Sequence, residues 1–188
     1  MEFVGENRIK TDKVINDLDK FVLKFIRILE KHAQYVIVSG YVSIFFGRSR
    51  ATEDVDVIVK RMGKKPFSEL YSGLVNEGFW CLNAEKPNDV FEYLEHNAVR
   101  FAEKGKVIPN MEFKFAKAES DFESLKNPMA AETSIGLLML GNIELQIAFK
   151  RAVLCSDKDM EDAVHLEEIF KGRLNNYKIR DYEEWLKK

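Results

Sequence analysis

The sequence VSGYVSIFFGRSRATEDVDVIV, residues 38–59, combines a pair of small residues, an apolar stretch and three acidic residues. YVIV, residues 35–38, is short, β-branched and apolar, which predicts a buried strand that ends at Ser39–Gly40. A short helix is predicted next, ending at Gly47, because glycine commonly follows the last turn of a helix. DVDVIVK, residues 54–60, alternates and then becomes fully apolar, which predicts a second strand.

Two of the acidic residues, Asp54 and Asp56, stand at the start of this second strand. Side chains at positions i and i+2 point to the same side of a strand, so the two carboxylates are expected about 7 Å apart along it. Carboxylates this close repel unless water solvates them or a cation lies between them. Two interpretations stay open: a metal site, or a solvated strand entrance whose acids pair with Arg48 and Arg50. Glu53 faces the opposite way and is left out of the metal site.

The other periodicities predict a mixed α/β region followed by helices. Residues 12–32 repeat apolar side chains every three or four positions, which predicts a long amphipathic helix. Further helices are predicted near 66–77, 89–96 and 118–126, strands near 79–82, 99–103, 110–117 and 134–141, and helical pieces at 143–154, 157–172 and 179–188. This order predicts an α+β fold with a core of residues 1–142, which includes the N-terminal helix 11–32, and a C-terminal helical region of residues 143–188.

A third carboxylate is expected on the strand NMEFKFAK, residues 110–117. Glu112 and Lys114 alternate there with apolar residues and therefore share one face. Glu112 on a strand beside Asp54 and Asp56 would complete an oxygen-ligand site for one or two Mg²⁺ (or Mn²⁺) ions, with Glu144 as the alternative third acid. Lys114 either binds phosphate or neutralises Glu112.

The composition favours a folded protein and argues against several function classes. Apolar residues make up 46% of the chain and charged residues 32%, and the net charge of −2 provides no basic field for coating RNA or DNA. No segment approaches the roughly 18 apolar residues of a membrane span, so we expect a cytoplasmic protein without a membrane partner. The two cysteines form no CxxC motif and the three histidines stand alone, so the chemistry is expected from carboxylates.

Residues 38–59 resemble the signature of the DNA polymerase β-like nucleotidyltransferase superfamily, in which a strand ends in a small-residue turn, a short helix follows, and Asp-x-Asp opens the next strand. They are most similar to the small AbiEii-like branch, in which an apolar helix precedes G-x-x-R-x-T-x-D-x-D. The matching positions are Ser39, Gly40, Gly47, Arg50, Thr52, Asp54 and Asp56. The resemblance covers only about 20 residues, but residue type, spacing and predicted structure agree.

This resemblance implies a nucleotidyltransferase-type mixed sheet flanked by helices and a metal-dependent transfer of NMP from an NTP to an acceptor hydroxyl, with release of pyrophosphate. Asp54, Asp56 and Glu112 would be the catalytic and metal-binding residues. Substrate contacts are implied at Ser39, Gly40, Ser43, Arg50, Thr52 and Lys114.

A second match to the same branch lies near the C-terminus, where Lys150 precedes Lys158, Asp159 and Asp162. The resemblance implies that Lys150 contacts phosphate and that Asp159 supports the pocket. The alternative is structural: Ser156 caps a helix with Asp159 in a capping box, and Lys158 pairs with Asp162 at i, i+4.

The acceptor stays open between an RNA such as tRNA, a protein and a small molecule. Two other functions also stay open. One is a catalytically inactive nucleotide- or protein-binding module of the same fold, and the other is a toxin that modifies tRNA or protein.

Overall fold

The computed structural model describes residues 1–188 and contains one nine-stranded mixed sheet with helices packed against it. The strands are β1 Glu2–Gly5, β2 Arg8–Lys10, β3 Tyr35–Val38, β4 Asp54–Val59, β5 Phe79–Cys81, β6 Val99–Glu103, β7 Asn110–Phe115, β8 Met129–Thr133 and β9 Gly136–Leu140. The helices are α1 Asp17–Leu29, α2 Gly40–Phe45, α3 Lys64–Asn76, α4 Pro87–Leu94, α5 Glu119–Lys126, α6 Ile143–Phe149, α7 Asp157–Ile169 and α8 Asn176–Leu186. A π-helical turn, Lys150–Leu154, continues α6. None of the helices combines the length and hydropathy needed to cross a membrane.

The strand order across the sheet is β1-β2-β8-β9-β3-β4-β7-β6-β5. At its centre, β3 pairs with β4 in antiparallel fashion and β4 pairs with β7 in parallel fashion. β6 is antiparallel to β7 on the far side. The predicted α+β class with a mixed sheet flanked by helices is therefore confirmed.

The alternating pattern of β4 fixes which side chains face the main core. Val55, Val57 and Val59 are fully buried in the large apolar cluster that also contains the α1 and α3 side chains. Ile58 points to the other face and joins a small cluster beneath α5. Each buried aliphatic side chain stabilises the fold by roughly 1.5–3 kcal/mol. A slip of one residue would expose the valines and bury Asp56, so the core fixes the face on which the acidic residues stand.

The C-terminal helices pack on one another and on α2. Ile143, Leu166 and Ile179 belong to the same buried cluster as the core side of the sheet. The predicted boundary between residues 142 and 143 stays a prediction.

Helix α1 begins at Asp17, so the predicted start at residue 11 or 12 was wrong. Asn16 caps it: the Asn16 side chain accepts a hydrogen bond from the Asp19 N–H at 2.9 Å, and the Asp19 carboxylate accepts one from the Asn16 N–H at 3.0 Å. This reciprocal pair sets the first turn. Val14, whose apolar side chain continued the sequence periodicity, is 88% exposed before the helix.

Strands β1, β2 and β8 had no counterpart in the sequence prediction. β2 contains only Arg8–Lys10 and pairs in parallel with β8, more than a hundred residues away along the chain. Strands this short are stabilised by their neighbours rather than by their own propensity. Helix α8 begins at Asn176, earlier than predicted, because Asn175 caps it by accepting bonds from the Tyr177 and Lys178 N–H groups.

Candidate active site

The sheet register brings the three predicted carboxylates side by side. Asp54 and Asp56 point to one face of β4, and Asp56 stands directly opposite Glu112 on β7. On its other side Asp56 stands opposite Val38, the last residue of β3, after which the chain turns through Ser39. Asp56 is therefore next to both the third carboxylate and the small-residue turn.

The environment of Asp56 opposes its negative charge. Burial raises the pKa of Asp56 to about 6, and the carboxylates of Glu112 and Asp54 add to the shift. The Ser39 side chain and Lys114 lower the pKa by a smaller amount. A partly buried carboxylate beside two others attracts a cation, and strongly shifted groups of this kind concentrate at functional sites.

Glu112 already has a cationic partner in this structure. Arg100, opposite it on β6, donates hydrogen bonds from Nε at 3.1 Å and from Nη2 at 2.9 Å to the same carboxylate oxygen. In this structure, no three His, Cys, Asp or Glu side chains are arranged so that they could hold one metal ion. A hard divalent cation prefers carboxylate oxygens. The strand register provides such oxygens on neighbouring positions, at Asp54, Asp56 and Glu112, and these residues therefore fit such a cation. Metal binding stays a prediction.

The turn after β3 has a strained backbone and is braced from two sides. Ser39 has φ +65° and ψ −135°, a region that favours glycine. Its N–H donates to Gln146 Oε1 on α6 at 2.7 Å. The Arg50 guanidinium lies so close to Gly40 that a β-carbon there would overlap it. Gly40 is therefore needed for the approach of Arg50.

We expect Ser39→Gly to raise the free energy of unfolding by about 1 kcal/mol, because glycine adopts this backbone conformation without a steric penalty. Ser39→Ala is the matched control: it also removes the hydroxyl but keeps the β-carbon. Urea denaturation of both variants measures the difference. A glycine variant no more stable than the alanine variant would show that the turn is unstrained.

A cleft of about 270 Å³ lies beside Asp56. Its walls come from the acidic face of the sheet, from α5, from α6 and from the π-helical turn, and include Ser39, Asp56, Lys114, Ser120, Asp121, Gln146, Phe149 and Leu154. Four larger cavities, of about 750, 700, 510 and 480 Å³, contain none of the three predicted carboxylates. The smaller cleft is the candidate substrate site because the polar groups converge there.

Lys114 forms an ion pair with Asp121 of α5, with Nζ and Oδ1 2.9 Å apart. The interpretation that Lys114 neutralises Glu112 was therefore wrong, since Glu112 pairs with Arg100. Asp121 also accepts hydrogen bonds from the backbone N–H groups of Lys117 and Ala118, which fixes it at the start of α5. Lys114 points at the cleft and remains a candidate for phosphate contact.

A second charged cluster centres on Asp162, which is fully buried on α7. Lys150, 1% exposed, donates to Asp162 Oδ2 at 2.9 Å, and Arg50 Nη2 lies 3.3 Å from the same oxygen. Arg48 Nε is 3.6 Å from Asp162 Oδ1. Two sequence interpretations were therefore wrong: the arginines do not pair with Asp54 and Asp56, and the partner of Asp162 is Lys150 rather than Lys158.

Ser156 caps α7 as predicted, but the second bond of a capping box, from the Ser156 N–H to the Asp159 carboxylate, is not formed. The Ser156 side chain accepts a hydrogen bond from the Asp159 N–H at 3.4 Å and donates to the Asp159 carboxylate. Asp159 Oδ1 lies 3.6 Å from Lys150 Nζ. Because Lys150 is enclosed by these acids, its predicted contact with phosphate stays a prediction, as does the pocket role of Asp159.

The remaining predicted residues occupy different surroundings. The Ser43 hydroxyl is buried on α2 without a hydrogen-bond partner. Thr52 Oγ1 donates to the Asp54 backbone oxygen at 2.8 Å, which holds the start of β4. Glu144 accepts a bond from the Asn175 N–H at 3.3 Å and lines another cavity, so it does not serve as the third acid.

Sequence reasoning missed Arg100, Asp121 and Gln146. Gln146 had a visible signal, since it is a polar residue inside the apolar segment IELQIAF of α6. Arg100 and Asp121 had none, because each acts on a residue of another strand or helix.

Comparison with known proteins supports the fold. No protein-family model and no curated protein sequence matches the chain. The structure is similar to the crystal structure of an antigenic nucleotidyltransferase-like protein from Paracoccidioides brasiliensis, with a TM-score of 0.53 and 13% sequence identity, over 89% of this chain and 85% of that chain. The chain therefore has a nucleotidyltransferase-like fold.

Proposed function

We propose that this protein is an AbiEii-like, metal-dependent nucleotidyltransferase that transfers NMP from an NTP to an acceptor hydroxyl and releases pyrophosphate. One observation carries the proposal. Asp54 and Asp56 point to the same face of β4, and Asp56 adjoins the Ser39–Gly40 turn, which agrees with the nucleotidyltransferase signature. Asp56 also adjoins Glu112, the candidate third carboxylate.

In the proposed reaction, the acceptor oxygen forms a bond to the α-phosphorus while the bond from that phosphorus to the pyrophosphate oxygen breaks. The electron pair of the broken bond leaves with pyrophosphate, and a carboxylate of the site, with Glu112 as the candidate, takes the hydroxyl proton. Asp54 and Asp56 would hold Mg²⁺ or Mn²⁺, which when bound neutralises phosphate charge. Lys114 and the small-residue turn would position the phosphates.

An alternative is a catalytically inactive nucleotide- or protein-binding module of the same fold. The ion pair between Arg100 and Glu112 favours it, because it engages the third carboxylate. A toxin that modifies tRNA or protein is a narrower form of the main proposal. The two classes differ in turnover, since only an enzyme transfers label.

The test is transfer of label from each α-³²P-labelled NTP, with Mg²⁺, to cellular RNA, cellular protein or small hydroxyl compounds. We expect one acceptor class to become labelled by the wild type and labelling to be lost in Asp54→Asn. Glu53→Gln is the matched control, because it neutralises the acid next in sequence, which precedes β4 and is exposed. Labelling that survives Asp54→Asn would contradict the proposal.

A further inference from the structure

Arg100 is the cation closest in register to the three carboxylates. It stands opposite Glu112 on β6, and Glu112 stands opposite Asp56 on β7, so Arg100, Glu112 and Asp56 form one row across three adjacent strands. Both Nε and Nη2 of Arg100 contact one oxygen of Glu112. Hydrogen bonding to Glu112 raises the pKa of Arg100, and the charges of Asp54 and Asp56 contribute further.

The ion pair is accessible to solvent. The side chains of Arg100 and Glu112 are 51% and 27% exposed. Exposed ion pairs of this kind contribute little to stability, so a ligand with higher charge can displace them. Arg100 is therefore poorly explained as a structural brace, and its effect is expected at the acidic site instead.

We propose that Arg100 is an internal competitor for the divalent cation: it holds the Glu112 carboxylate against β6 and releases it when a metal ion binds between Glu112 and the two aspartates. The inference rests on the proposed function, because it concerns the metal ion of the same site. Arg100 is a positioning residue, since it acts through Glu112. Arg100 lowers the affinity of the metal-free site for the divalent cation because it engages Glu112, the third ligand.

The expected size of this competition follows from charge alone. By Coulomb's law, a unit positive charge several ångströms from a divalent cation, screened as in water, weakens binding about tenfold. Loss of the hydrogen bonds to Glu112 acts in the same direction, because it frees a carboxylate oxygen for the metal. Arg100→Gln is therefore expected to lower the Kd for Mn²⁺ about tenfold.

The experiment is titration of the full chain with Mn²⁺, without nucleotide, followed by electron paramagnetic resonance of free Mn²⁺. The variants are Arg100→Gln, Arg100→Lys, Glu112→Gln and the double variant Arg100→Gln/Glu112→Gln. Arg61→Gln is the matched control, because Arg61 forms another exposed ion pair, with Glu95 at 2.9 Å, beyond the opposite end of β4. Circular dichroism establishes that each variant is folded.

We expect tighter Mn²⁺ binding in Arg100→Gln, a Kd within about threefold of the wild type in Arg100→Lys, which keeps the charge, and no change in Arg61→Gln. The gain in Mn²⁺ affinity must disappear in the double variant, because Arg100 acts through Glu112. An unchanged or weaker Kd in Arg100→Gln, or a gain that persists without Glu112, would overturn the inference and leave the proposed function intact. Absence of saturable Mn²⁺ binding in every variant, including the wild type, would instead contradict the metal-dependent function itself.

Discussion

Asp56→Asn is expected to stabilise the fold while it abolishes nucleotide transfer. Burial and the neighbouring acids raise the pKa of Asp56 from 3.8 to about 6. A shift of about two pKa units corresponds to about 3 kcal/mol of unfavourable free energy in the charged folded state. Asparagine removes that charge and keeps the shape, so the free energy of unfolding at pH 7.5 should rise by up to about 3 kcal/mol.

The raised pKa of Asp56 makes the free energy of unfolding depend on pH. Because the folded-state pKa lies above the unfolded-state value, the folded wild type holds the proton more tightly between about pH 4 and pH 6. Wild-type stability should therefore fall as the pH rises through this window and then become level with respect to Asp56. The advantage of Asp56→Asn should be present at pH 7.5 and vanish near pH 4, where both side chains are neutral.

Urea denaturation at pH 4 and pH 7.5 measures the stability change, and the labelled-NTP assay measures transfer. Activity should fall at least about 100-fold, as expected when a group that stabilises transition-state charge is lost. Glu53→Gln is the control for charge, since it neutralises an exposed acid outside the site. Undiminished transfer, or a variant less stable than the wild type at pH 7.5, would contradict the role assigned to Asp56.

Asp162→Asn is expected to cause the largest loss of stability. Asp162 is fully buried and is the shared acidic partner of Lys150, Arg50 and Arg48. Its neutralisation leaves the Lys150 ammonium, 1% exposed, with only Asp159 at 3.6 Å. Removal of one partner of a buried ion pair typically costs about 3–5 kcal/mol, a large share of the stability of a typical domain.

Two further variants separate this effect from other causes. Lys158→Gln removes the exposed lysine that the i, i+4 spacing had suggested as the partner, and should change the free energy of unfolding by less than about 0.5 kcal/mol. Lys150→Met in the Asp162→Asn background removes the uncompensated charge and should recover part of the loss. If Asp162→Asn cost less than about 1 kcal/mol, Asp162 would not be the partner that stabilises the buried Lys150 charge.

The sequence was informative where short-range pattern sets structure. Apolar YVIV and the alternation of DVDVIV predicted β3 and β4, and the period of two placed Asp54 and Asp56 on one face. The pattern of NMEFKF likewise put Glu112 and Lys114 on one face of β7. The placement of Glu112 on a strand beside Asp54 and Asp56 was a hypothesis from the residue types and the alternating pattern, and the register Asp56 opposite Glu112 agrees with it.

What sequence reasoning missed depends on contacts between distant segments. Arg100 has no neighbour in sequence that marks it as the partner of Glu112, because their pairing arises from the register of β6 and β7. Asp162 was assigned to Lys158 by helical spacing, but a buried carboxylate takes the partner that is buried with it, which is Lys150. Local rules describe exposed helix surfaces, whereas desolvation decides the pairing of buried charges.

Calorimetric titration with each NTP in Mg²⁺ would establish whether Asp54 and Asp56 form a metal-dependent nucleotide site. The wild type should bind at least one NTP saturably, and binding should be lost without Mg²⁺ and in the Asp54→Asn/Asp56→Asn double variant. No binding of any NTP, or equal binding by the double variant, would show that the two aspartates do not form such a site.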